Sequence, residues 1–212
     1  QDRGDISFAV KELARAMAKP TQRDQRNLKR LGRYLIDKMR YVTTFRYQGP
    51  VEAVTVWTDS DWAGCQKTRK STTGGVVMMG RHPIKHWASQ QGVVALSSGE
   101  AEYYTIVKAV SQSIGIKSLL KDMKQEAKIK IRVKTDASAA MGISMRSGLG
   151  KLRHMSTHQL WVQEKVRKGD VEIVKVPTWE NIADTLTKYV NKESIGKHMR
   201  GAGSQYEEGR HE

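Results

Sequence analysis

Val54-Thr55-Val56-Trp57-Thr58-Asp59-Ser60-Asp61-Trp62-Ala63-Gly64 is the stretch on which the fold turns. β-branched and aromatic residues alternate along it until two aspartates and a turn glycine end the run, a pattern that predicts a short strand. Thr55, Trp57, Asp59 and Asp61 share one parity, so their side chains leave one face. Carboxylates at the mouth of an apolar strand are costly to bury without a compensating cation. A metal ion compensates only where further carboxylates join it, and the rest of the chain is read for those partners.

Downstream, residues 65–74 form a polar, basic connection. The apolar run 75–79 and the run 84–88, joined by Gly80-Arg81-His82-Pro83, predict two more strands, so three strands in succession form an antiparallel meander. Ser97-Ser98-Gly99-Glu100 reads as a capping box with Ser97 at the N-cap, opening a long helix to about residue 124. Its buried stripe is Ile106, Ala109, Val110, Ser113 and Leu120. Glu102 lies one turn before Ile106 on that stripe and is aimed at the sheet, whereas Glu100 is occupied at the cap. A fourth strand over 129–135 ends on Asp136, and a small-residue helix over 137–145 follows. After the basic glycine loop 146–151 come a helix carrying Leu160, Trp161, Val162 and Val166, and a fifth strand over 171–176. Beyond Pro177 a short helix holds Ile182, Ala183, Asp184 and Leu186.

Upstream, Ile6, Val10, Leu13, Ala14 and Met17 recur at helical spacing until Pro20. Thr21-x-x-Asp24 then caps a second helix carrying Leu28, Leu31 and Leu35. Its opposite face, Arg26, Lys29, Arg30 and Arg33, is either a solvated surface or a helix lying along a nucleic-acid backbone. Gly49-Pro50 marks a boundary. Residues 201–212 are polar, contain glycine and lack apolar periodicity, which predicts disorder. The expected division is a helical N-terminal part over 1–48, the main domain over 51–190 and a disordered tail over 191–212.

The 212 residues hold 37 Lys and Arg against 22 Asp and Glu, a net charge of +15. That imbalance suits a polyanionic partner, because Lys and Arg gain affinity by releasing counterions from phosphates. The single cysteine, Cys65, excludes an internal disulfide framework and a cysteine zinc site. It fits a reducing, intracellular compartment, cytoplasmic or nuclear. No apolar run approaches the ~18 residues of a membrane span and no signal peptide is visible, so no membrane partner is expected. The first residue is Gln1, from which a piece of a longer chain is expected.

Four acids fall at informative places: Asp59 and Asp136 at strand ends, Glu102 on the sheet-facing side of the long helix, and Asp184 on the last helix. A right-handed crossover through the long helix would pair the fourth strand beside the first and make Asp59 and Asp136 neighbours. Four carboxylates without a cysteine make a hard-oxygen site for Mg²⁺, with Mn²⁺ as a substitute. Two such ions, roughly 4 Å apart, would activate water and stabilise the leaving oxygen of a phosphodiester. Asp61 competes for a ligand role; its other reading is a turn residue capping N–H groups before Gly64. His154 and His158 stand at i, i+4 without a nearby carboxylate, which favours phosphate contact or packing over metal binding.

Thr58-Asp59-Ser60-Asp61-Trp62-Ala63-Gly64-Cys65, Thr68-Arg69-Lys70-Ser71-Thr72-Thr73-Gly74 and Ala95-Leu96-Ser97-Ser98-Gly99-Glu100-Ala101-Glu102-Tyr103 together resemble the ribonuclease H domain of copia-type LTR-retrotransposon Pol polyproteins. The resemblance continues through Thr135-Asp136-Ala137-Ser138, Lys151-Leu152-Arg153-His154 and Ala183-Asp184-Thr185-Leu186-Thr187-Lys188. Residues 3–10 and 28–35 resemble the end of the reverse transcriptase that lies just upstream in such polyproteins. The resemblance implies an α/β ribonuclease H-like fold: a five-stranded mixed sheet, antiparallel meander then parallel strands, flanked by helices and preceded by a helical hairpin. It also implies endonucleolytic cleavage of the RNA strand of RNA–DNA hybrids, with 3′-hydroxyl and 5′-phosphate products, and Asp59, Glu102, Asp136 and Asp184 as catalytic, Mg²⁺-binding acids. RNA would be told from DNA at its 2′-hydroxyls.

Arg69, Lys70, Ser71, Thr72, Lys151, Arg153, His154 and Asn181 are the candidate nucleic-acid contacts. The mobile histidine of many relatives is missing from Pro177-Thr178-Trp179-Glu180-Asn181, and His154 is a possible stand-in. The alternative function is a catalytically inactive or captured fragment that binds nucleic acid without cutting it. A DNA-directed nuclease of the same fold is a third reading, which the retrotransposon-like motifs disfavour.

Overall fold

A computed structural model describes residues 3–124, 129–150 and 153–209. A short 3-10 turn (Gly4–Ile6) leads into helix α1 (Ser7–Ala14), and α2 (Gln22–Asp37) follows. Thr21 caps α2 as expected: its side chain accepts from the Asp24 N–H while the Asp24 carboxylate accepts from the Thr21 N–H. Then come strands β1 (Arg40–Thr43), β2 (Ala53–Asp61), β3 (Thr72–Met79) and β4 (His82–Gln90), and the long helix α3 (Ser98–Asp122). The remainder is β5 (Lys130–Thr135), α4 (Ser138–Met145), α5 (Trp161–Arg167), β6 (Val171–Lys175), α6 (Lys192–Gly201) and β7 (Ser204–Glu207).

Five strands form one mixed sheet in the order β4-β3-β2-β5-β6. The β2–β3 and β3–β4 pairs are antiparallel, and β2–β5 and β5–β6 are parallel. This is the ribonuclease H-like arrangement expected from the sequence, a meander continued by parallel strands. Its core follows from strand parity. Val54 and Val56 of β2 and Ile131 and Val133 of β5 point to the face covered by α3, where Tyr103, Ile106 and Val110 are fully buried. The opposite face carries a smaller cluster of Val76, Met78, Ile182, Leu186 and Ala202, with Trp57 and Ala88 packed against it.

The expected disordered tail is corrected over residues 192–209. Asn191 caps α6 by accepting from the Ser194 N–H, Met199 and Ala202 are buried, and β7 pairs antiparallel with β1. The signal is invisible locally because the partner of β7 lies some 160 residues upstream, as in the pair Thr43↔Ser204. At the N-terminus, the fully buried Asp5 carboxylate accepts from Arg3 at 2.7 Å and from Tyr34 at 2.8 Å, and Tyr34 lies 2.7 Å from the Tyr206 hydroxyl. Lys11 of α1 donates to Thr72 of β3 at 2.7 Å. The α1 stripe differs from expectation: Phe8 is its buried residue, while Val10 and Met17 are exposed.

Candidate metal centre

The parallel β2–β5 register runs from Ala53↔Lys130 to Trp57↔Lys134. Continued by two residues, it sets Asp59 beside Asp136 at the carboxyl ends of neighbouring strands. The chain leaves β2 toward β3 on one side and pairs with β5 on the other, the switch point at which open sheets bind ligands. Glu102, one turn into α3, reaches the same end of the sheet, and its Oε1 accepts from the Ser60 N–H at 3.1 Å. One carboxylate oxygen each from Asp59, Glu102 and Asp136 lies within 4.8 Å of the others.

Two of the three, Asp59 and Glu102, are buried with little protein compensation, and Asp136 is half-buried. Asp59 is 5 % exposed and Glu102 9 %. Burial raises the Asp59 carboxyl to about 7; the Thr187 hydroxyl, which donates to its Oδ2, pulls the other way, and the charge of Asp184 adds to the rise. Burial and then the neighbouring Asp59 push Glu102 up to about 8. The second oxygen of Glu102, Oε2, is buried without a hydrogen-bond partner among the described residues. Three clustered carboxylates, one of them with a buried and unpartnered oxygen, are what an all-oxygen site for a hard divalent cation provides, so these residues fit Mg²⁺ or Mn²⁺.

Asp184 is near enough for its charge to act on Asp59, but it is held differently. It begins a three-residue 3-10 turn (Asp184–Leu186), not the short helix expected, and its Oδ1 pairs with Lys188 Nζ at 2.5 Å. Among the described residues it is not part of the three-carboxylate group. Its turn is held against the sheet by a close approach at Gly74, the residue opposite Asp59 in the β2–β3 register. A Cβ on Gly74 would lie 2.7 Å from Thr187 Cγ2, 2.8 Å from Leu186 Cβ and 3.1 Å from the Ala183 carbonyl oxygen.

Asp61, the competing ligand, is taken up by its cross-strand neighbour and not by N–H groups before Gly64: its Oδ1 accepts from the Thr72 N–H and its Oδ2 from the Thr72 hydroxyl at 3.2 Å. Glu100 keeps half of the expected capping box. Ser97 accepts from the Glu100 N–H at 3.2 Å, but the Glu100 carboxylate turns to the Leu96 N–H (2.9 Å), the Tyr104 hydroxyl (2.8 Å) and His154 Nε2 (2.9 Å). Burial works to raise its pKa, and these three partners outweigh it and hold the carboxyl below its ordinary range.

The candidate nucleic-acid contacts separate into two groups. Arg69, Arg153 and His154 are exposed and Lys70 is half-buried, all open to a polyanion, although His154 is tied to Glu100. Ser71, Thr72 and Asn181 are corrected: they are 0 %, 3 % and 0 % exposed and cannot reach a bound strand. The reason is position: Ser71 and Thr72 lie at the entry to β3, which is flanked by β2 and β4, and their hydroxyls bond Ala63 and Asp61. Asn181 instead donates to the Thr58 carbonyl at 2.9 Å and toward Asp136 Oδ1 at 3.4 Å, joining the ends of β2 and β5. Lys151 lies outside the described residues, as does the side chain of His158. Sequence reasoning missed Gly74, Thr187 and Lys188 as site residues, although all three stand inside motifs quoted for the resemblance.

No protein-family model matches the chain. Curated proteins do: it is 30 % identical over 191 residues, 90 % of its length, to the retrovirus-related Pol polyprotein from transposon RE1 of Arabidopsis thaliana. It is also 30 % identical over 205 residues, 95 % of its length, to the Pol polyprotein from transposon TNT 1-94 of Nicotiana tabacum. The chain spans only 13 % and 15 % of those relatives. Among solved structures, LC11-RNase H1 in complex with an RNA/DNA hybrid aligns with a TM-score of 0.40 at 13 % identity, covering 69 % of this chain and 99 % of that one. The chain is thus homologous to a segment of the copia-type, retrovirus-related Pol polyproteins, and its mixed sheet β4-β3-β2-β5-β6 has the order expected of the ribonuclease H-like fold.

Proposed function

We propose that this chain is a metal-dependent endonuclease that hydrolyses the RNA strand of RNA–DNA hybrids during retrotransposon reverse transcription. The observation that carries the reading is the cup of Asp59, Glu102 and Asp136 at the ends of β2 and β5, with a buried Glu102 oxygen left unpartnered. Asp59, Glu102 and Asp136 would hold the ions and Asp184 would complete the second position. Bound there, two divalent ions supply an activated water and neutralise charge developing on the phosphate.

The protein's own residues orient this set. Ser60 N–H fixes Glu102, Thr187 fixes Asp59, and Asn181 spans Thr58 and Asp136. Exposed Arg69 and Arg153 supply charge for the hybrid backbone, consistent with the net charge of +15. Residues 1–48 are assigned, within the same proposal, to the end of an upstream reverse transcriptase, which makes that polymerase domain the partner in the polyprotein.

The test is incubation of labelled hybrid with Mg²⁺ and either the parent or Asp136→Asn. Cleavage of the RNA strand by the parent alone supports the nuclease. Equal binding by both proteins with no cutting establishes the nucleic-acid-binding module in its place, and cleavage of the DNA strand or of duplex DNA establishes a DNA-directed nuclease.

A further inference from the structure

Lys188 is the one basic side chain among the described residues that forms an ion pair with a member of the acidic set, and it reaches the acid outside the three-carboxylate group. Its Nζ lies 2.5 Å from Asp184 Oδ1, four residues back along the chain. The Asp184 side chain is 15 % exposed and that of Lys188 is 50 % exposed, so the lysine is the more solvent-accessible member of the pair. Burial works to lower the Lys188 pKa, but the Asp184 bond and the charges of Asp59, Asp184 and Asp136 together raise it. The ammonium therefore feels three of the four acids at once. The Asp184–Leu186 turn is also held firmly, because Leu186 is 1 % exposed and packs over Gly74. With the turn fixed, the long, half-exposed lysine is the mobile partner of the pair.

Building on the nuclease reading, we infer that Lys188 is a built-in counter-cation that occupies Asp184 in the metal-free protein and must be displaced before a second divalent ion can use that carboxylate. The physical basis is competition for one carboxylate. An ammonium against Asp184 Oδ1 and a divalent ion on the same carboxylate repel each other at close range, and the doubly charged ion gains more from the neighbouring acids. The arrangement keeps four carboxylates from repelling one another when metal is scarce. It also makes the two positions unequal: the position built on Asp59, Glu102 and Asp136 fills first, and the one needing Asp184 fills after Lys188 swings out.

Two measurements on the full chain test this, both read without any cleavage assay. Calorimetric titration with Mn²⁺ should show the weaker binding step of Lys188→Met tightened roughly 3- to 10-fold against the parent, and Lys188→Arg close to the parent. The parent itself supplies the second measurement, reductive methylation of lysines followed by mass spectrometry. Mn²⁺ should raise the labelling rate of Lys188 several-fold while leaving Lys117, about four turns along α3 from Glu102, unchanged. A Lys188 labelling rate that stays constant or falls on addition of Mn²⁺ overturns this inference alone, whether or not Lys188→Met folds. A parent that binds no Mn²⁺ overturns both this inference and the nuclease reading.

Discussion

The buried amide of Asn181 lies 3.4 Å from Asp136 Oδ1 while donating to the Thr58 carbonyl at 2.9 Å. One side chain thus ties together the two strand ends that present Asp59 and Asp136, and its own Oδ1 accepts from the Ala183 N–H at 3.2 Å, just before Asp184. Asn181→Ala should therefore cost about 1–3 kcal/mol, the penalty for leaving a buried carbonyl and a buried N–H without partners. Urea unfolding checks the stability. Mn²⁺ titration checks the second expectation, weaker metal binding than in an equally destabilised core variant such as Val110→Ala.

Gly74 admits the Asp184 turn by lacking a Cβ. Gly74→Ala places that atom within 3 Å of Thr187 and Leu186 and should destabilise by about 1–3 kcal/mol through overpacking. Displacement of the turn should also lower the Mg²⁺ response. Full stability together with normal metal binding in Gly74→Ala would show that the turn is free to move.

The raised carboxyls predict a pH dependence with a definite sign. Asp59 at about 7 and Glu102 at about 8 hold protons in the folded state that the unfolded chain, titrating near 3.8 and 4.5, has released. Between about pH 4 and pH 8 these two groups therefore make stability fall as pH rises. His198, whose pKa burial lowers, contributes in the opposite sense below its ordinary value. The readout is consequently a difference: in EDTA, Glu102→Gln should lose less stability than the parent on going from about pH 5 to about pH 8. Saturating Mg²⁺ should flatten the parent's curve, and a parent that gains stability relative to Glu102→Gln over this window would contradict the assignment.

Asp5 anchors the N-terminal helices to the C-terminal strand through Arg3, Tyr34 and Tyr206. Removing its carboxylate in Asp5→Ala leaves those donors around an empty, buried position and should cost about 2–4 kcal/mol. Tyr206→Phe, which removes one hydroxyl, should cost about 1 kcal/mol. Denaturant midpoints at fixed m-value decide both.

Hybrid affinity should fall steeply with salt, each neutralised phosphate adding about −0.9 to a log–log slope on duplex DNA. Arg69→Ala and Arg153→Ala should each make that slope shallower. Fluorescence anisotropy in Ca²⁺ or EDTA, across a salt series, measures this apart from cleavage, and a flat response would rule out phosphate contacts as the source of affinity.

Much of this was readable from the chain alone. Strand alternation placed β2 through β6, the Ser97 cap placed α3, and Asp59, Glu102 and Asp136 were chosen by where they fall on those elements. Local pattern suffices there because parity and helical period state which way each side chain leaves the backbone. It failed for Ser71, Thr72 and Asn181, polar residues in motif-like runs that look available to a ligand. Their burial depends on which strands flank β3 and on a loop that returns more than 100 residues later to Thr58, as the Asn181–Thr58 bond shows. The C-terminal strand was missed for the same reason, since the partner that makes this polar segment a strand, β1, lies far upstream in the chain.

The amino-acid sequence by itself determined the five strands of the main sheet, the long helix α3 and the identity of three acids that converge, because each is encoded within a few residues. Tertiary structure decided what the acids touch: that Glu102 Oε2 has no partner, that Asp184 is held by Lys188, and that Gly74 lets the Asp184 turn approach β2. Those facts are distances between segments far apart in the chain, set by close packing and by which buried charges find a counter-charge, and no local pattern records them.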